Sequence, residues 1–90
     1  MPEEILDPEI QAVLEIIEKV RNGAKPTLAR AELNRHAELP TRFTGERRHR
    51  FAAYMNSAIA MVNLIEMHPE RQRKEFDPGW EALKKKAERV

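Results

Sequence analysis

The stretch GERRHRFAAYMNSAIAMVNLIE, residues 45 to 66, crowds Arg47, Arg48, His49 and Arg50 together and then runs from Phe51 to Ile65 without a formal charge. That uncharged run is too short for a membrane span and contains Asn56 and Asn63, so it reads as the central helix of a soluble helical protein. Phe51, Met55, Ala58, Val62 and Ile65 form one apolar stripe at helical spacing, and Ala53, Ala60, Met61 and Leu64 form a second beside it. So much apolar surface predicts a helix surrounded on several sides. Thr44 is placed to cap it and Pro69 to end it, which gives a third helix from about Gly45 to Met67.

Working outward, DPEIQAVLEIIEKVRNG is a first helix with both ends marked. Asp7 caps, Pro8 suits the first helical position, and Asn22-Gly23 supplies a left-handed stop. Ile10, Val13, Leu14, Ile17 and Val20 share one face, widened by Ile16. TLARAELNRHAEL reads as a shorter second helix, with Thr27 as cap, Pro40 as limit and a thin apolar face of Leu28, Ala31 and Leu33 with Leu39 at its end. PERQRKEF predicts a short helical turn. DPGWEALKKKAERV then repeats the Asp-Pro start, with Trp80, Leu83, Ala87 and Val90 on the face that closes the bundle.

Composition bounds the rest. Ninety residues suffice for one domain spanning 1–90, and few β-branched clusters beside abundant Ala, Glu, Lys, Leu and Arg point to an all-α class. The absence of cysteine excludes disulfides, thiolate catalysis and sulfur-ligated zinc, and favours an intracellular, cytoplasmic setting. Acids at the N-terminus are unlike a signal peptide, and no run is long enough to enter a membrane. Charge is unevenly placed: residues 1–20 sum to −5 and residues 21–90 to +6. An acidic helix lying against basic neighbours accounts for this, and so would a basic surface that meets an anionic partner.

The start of the third helix breaks a local rule. A helix N-terminus carries partial positive charge, so Arg47, Arg48 and Arg50 gain nothing there, with only Glu46 to compensate. Together with Arg42 and the backbone at Thr44 and Gly45, they form a candidate anion or nucleic-acid contact, since free N–H groups and guanidinium groups suit phosphate. A short helix, a connection and a longer helix with a basic start is also the outline of a helix-turn-helix. Internal pairing of these arginines with Glu15, Glu18 or other acids of the first helix, or plain solvation, is the structural alternative.

His49, Asn56 and Asn63 are seven residues apart and nearly aligned along the helix. Buried, such a line would set register in a homodimer or meet a ligand; exposed, it needs no explanation. Glu46 with His49, and Glu32 with His36, have metal-like spacings, but the further inward carboxylates of a di-metal bundle are missing, so no metal or cofactor is expected. The hydroxyls Thr27, Thr41, Thr44 and Ser57 lack a nucleophile elbow, and Gly23, Gly45 and Gly79 form no phosphate loop. No catalytic residue is assigned, and enzyme activity is the minority reading.

The expected architecture is therefore a small four-helix bundle-like domain with a long central third helix. Its evenly patterned ends resemble idealised helices of the kind placed in designed proteins, around a less regular middle. The leading functional expectation is a non-enzymatic helical protein-interaction module, natural or designed. The alternative is a small helix-turn-helix-like protein that touches nucleic-acid phosphates through the basic start of its third helix.

Overall fold

A computed structural model of the chain describes residues 7–38, 41 and 43–90. The first helix, α1 (Pro8–Arg21), starts where the sequence marks it: the Asp7 carboxylate accepts the Glu9 N–H at 3.0 Å, and Pro8 opens the first turn. It also stops there. Gly23 has φ +112°, its N–H reaches the Val20 carbonyl at 3.0 Å, and the Ala24 N–H reaches Lys19 at 2.9 Å. These paired bonds satisfy carbonyls that a helix end otherwise leaves open, and glycine accepts the left-handed angle without a Cβ penalty. All six predicted core residues of α1 are buried.

The second helix, α2 (Pro26–Glu38), begins two residues earlier than a Thr27 cap would set it, because Pro26 with its preset φ takes the first position; Leu39 and Pro40 lie outside the described residues. Thr27 is thus inside the helix, and its hydroxyl leaves for a tertiary partner. The buried face is Ala29 and Leu33, while Leu28 points outward at 63% exposure.

The third helix, α3 (Gly45–Met67), has the expected bounds, and the first of its two apolar stripes is the buried one. Phe51, Met55, Ala58, Val62 and Ile65 are buried, joined by Met61 and by Tyr54, which the stripes omitted. Tyr54 is fully buried, and its hydroxyl donates to the Ile10 carbonyl of α1 at 2.9 Å, so the ring serves the core while its polar tip is satisfied. Burial pushes the phenol well above its ordinary value. Ala53, Ala60 and Leu64 are exposed, which corrects the expectation of a helix enclosed on several sides. The molecule is only 17 Å across its thin axis, room for two layers of helices packed 8–10 Å apart, so α3 keeps an outer face.

A 3-10 turn (Arg73–Phe76) leads into the last helix, α4 (Asp77–Arg89), which buries Trp80, Leu83 and Ala87. The result is an all-α, bundle-like fold whose buried side chains form a single cluster shared by all four helices. Among the described residues no helix is long and apolar enough to cross a membrane.

Candidate interaction surfaces

The basic start of α3 does not converge on one point. Thr44 has extended backbone and makes no capping bond through its side chain, and Gly45 enters the helix with φ +60°. Arg47 is exposed but lies along its neighbours: its Nε donates to the Val90 carbonyl at 3.0 Å, and its guanidinium lies 4.6 Å from the Phe43 ring centre. A cation over the ring face and a donor on a carbonyl near the end of α4 both favour charge at that place. Arg50 leans along its own helix toward Glu46, 3.5 Å away. Arg48 is exposed and has no ion pair among the described residues. Arg42 lies outside the described residues.

Successive helical positions diverge by about 100°, so three arginines within four residues are spread around the helix. None of the three pairs with Glu15 or Glu18, which are exposed on the outer side of α1. The rule-breaking charges are thus absorbed singly, by a carbonyl and a ring, by a neighbouring acid, and by solvent.

Beside Arg48 a cleft of about 500 Å³ opens between the end of α2 and the start of α3. His36 and Glu38 come to it from α2, and Phe51, Met55 and Asn56 from α3. The Glu38 carboxylate in the same cleft as Arg48 gives it mixed charge.

The line His49, Asn56, Asn63 is not uniform. His49 and Asn56 are exposed, whereas Asn63 is half-buried and accepts from Arg30 Nη1 at 3.1 Å. Arg30 also forms an ion pair with Glu66, whose carboxylate takes the Thr27 hydroxyl at 2.8 Å. The bonds from Arg30 and Thr27 hold the Glu66 carboxyl below its usual range, and those from Glu66 raise the Arg30 guanidinium. This network was missed because its members sit on two helices; the only sequence hint was that Glu66 is the first charge after the neutral run.

These bonds also fix how α2 and α3 run. Thr27 and Arg30, early in α2, meet Asn63 and Glu66, late in α3, while His36 and Glu38 face Arg48 and Phe51. The helices lie antiparallel side by side, unlike the crossing at about 90–120° in a helix-turn-helix.

A second groove, of about 380 Å³, runs between α3 and α4. Its floor is Met61, Phe76 and Leu83, and it opens beside the exposed Leu64. At one end Lys86 Nζ donates to the Ser57 hydroxyl at 2.7 Å. Among the described residues no group of three or more His, Asp or Glu side chains gathers as metal ligands would.

No protein family, curated protein or solved structure matches this sequence. The reading of its surfaces therefore rests on the geometry alone.

Proposed function

We propose that this chain is a non-enzymatic protein-interaction module of the cytoplasm, which engages another protein through the outer face of α3. One observation carries the reading: from Ala53 to Leu64 this face is exposed and free of charge, in a protein whose other outer helix faces carry charges. An exposed helical face without charges is costly to leave bare and marks a contact surface. The composition, with 34% charged residues and no cysteine, suits the cytoplasm.

The nucleic-acid alternative retains one supporting observation, Arg48, without an ion pair among the described residues, beside the exposed His49. Against it stand the antiparallel α2–α3 pairing and the engagement of Arg47 by the Val90 carbonyl and the Phe43 ring. A photo-crosslinking residue at Ala60, compared with one at Gln11 on the outer side of α1, tests the proposal. A discrete protein adduct from Ala60 and none from Gln11 is expected. Equal labelling, or none, would overturn it. Salt-sensitive binding of random-sequence DNA or RNA, followed by fluorescence anisotropy and lost in Arg48→Glu, would favour the alternative.

A further inference from the structure

Resting on the interaction reading, we infer that the groove between α3 and α4 receives a short amphipathic helix of another protein, with apolar residues at i and i+4 flanked by carboxylates. Ser57, Met61 and Leu64 stand along one side of the groove, a span of about 10 Å or two helical turns. That length seats two apolar side chains one turn apart, the usual anchoring of a helix in a groove. The opposite wall is Gly79 and Ala82. With almost no side chain there, a guest helix can lie close to the α4 backbone while its anchors reach Met61, Phe76 and Leu83.

Charge decides the flanks. Lys86 stands exposed at the Ser57 end and Arg71, unpaired among the described residues, on the same lining toward Phe76. Glu75 is the acid of this lining, bound by the Gln72 N–H at 2.9 Å at the 3-10 turn, so the groove holds two basic side chains against one acidic one. An apolar floor between two cations complements apolar anchors between two carboxylates, and disfavours a basic helix.

A symmetric pair of copies would set groove against groove and bring Arg71 and Lys86 of one copy against the same cations of the other. That like-charge contact favours a different chain, with carboxylate flanks, as the guest.

The test uses two synthetic helical peptides with the same leucines at i and i+4, one flanked by glutamates and the other by lysines. Each is titrated into the ¹⁵N-labelled 90-residue chain. The glutamate peptide is expected to shift the amides of Ser57, Met61, Leu64, Gly79 and Ala82, and to bind roughly tenfold more weakly to the Arg71→Glu/Lys86→Glu variant. Ala82→Trp, which fills the groove without changing charge, should abolish those shifts. All three substituted sites are exposed, and circular dichroism checks that the variants remain helical. Equal binding of the two peptides, shifts centred elsewhere, or no binding would overturn the inference. So would a concentration-dependent dimer that perturbs these same amides. If Ala60 still crosslinks a protein while neither peptide binds, the groove chemistry alone fails; if Ala60 also labels nothing, the interaction reading falls with it.

Discussion

Arg21, in the last turn of α1, donates to the Asp77 carboxylate at the start of α4 through Nη2 at 2.6 Å and Nε at 3.1 Å. The same guanidinium lies 5.1 Å from the centre of the Trp80 ring. Each charge stands at the helix end whose dipole favours it, so the pair joins two helices without electrostatic conflict. Both side chains are partly exposed, and solvent screening keeps their coupling small. A double-mutant cycle of Arg21→Ala and Asp77→Ala is expected to give below about 1 kcal/mol by urea denaturation. Trp80 fluorescence should change in every variant that lacks Arg21. Additivity within error, with unchanged fluorescence, would show that the pair is not held in solution.

Tyr54 spans the core to the Ile10 carbonyl, and Tyr54→Phe keeps the ring while removing that bond. A loss of about 1 kcal/mol is expected. The phenol is raised by burial, so above about pH 10 the unfolded chain releases its proton while the folded chain holds it. Stability attributable to this group is intact below that pH and falls progressively above it. Denaturation at pH 8 and pH 11 should show the alkaline loss in the native chain, and a smaller one in Tyr54→Phe.

Glu66 has the opposite sign. Its carboxyl is depressed by Arg30 and Thr27, so its contribution is present above the unfolded glutamate range and is lost as pH falls through the folded value. Glu66→Gln should flatten the stability profile on the acid side of about pH 4.5 and leave the alkaline side unchanged. An acid limb identical to that of the native chain would count against the Arg30–Glu66 bond.

Gly45 opens α3 at φ +60°, and a Cβ built there meets nothing within 4 Å. The cost of Gly45→Ala is therefore one of backbone conformation alone, about 1–2 kcal/mol. Gly79 has an ordinary φ and equally open space. Gly79→Ala in α4 should be neutral or gain up to about 1 kcal/mol in thermal or urea denaturation.

The neighbouring arginines separate in the same assay. Arg47→Ala removes a contact over Phe43 and a bond to the Val90 carbonyl, and should destabilise by about 1 kcal/mol. Arg48→Ala touches neither and should stay within about 0.5 kcal/mol of the native chain. Equal losses would mean that the arginines act together, as a common anion site would require.

The order and bounds of the helices were legible in the sequence because their signals are local. Capping by Asp7, the stop at Asn22-Gly23 and the apolar spacing of α1 and α4 act between residues a few positions apart, where chain geometry alone decides who meets whom. What lay beyond reading was every partner chosen across the fold. Asp7 and Asp77 both precede proline, yet one caps its own helix and the other meets Arg21, 56 residues away. Tyr54 reaches Ile10 across 44 residues, and Arg30 reaches Glu66 across 36. Sequence periodicity assigns side chains to faces of a helix, but which face a neighbour covers depends on how the helices are layered. That layering left Ala53, Ala60 and Leu64 in solvent, set Arg47 against Phe43 and the Val90 carbonyl, and opened the groove between α3 and α4.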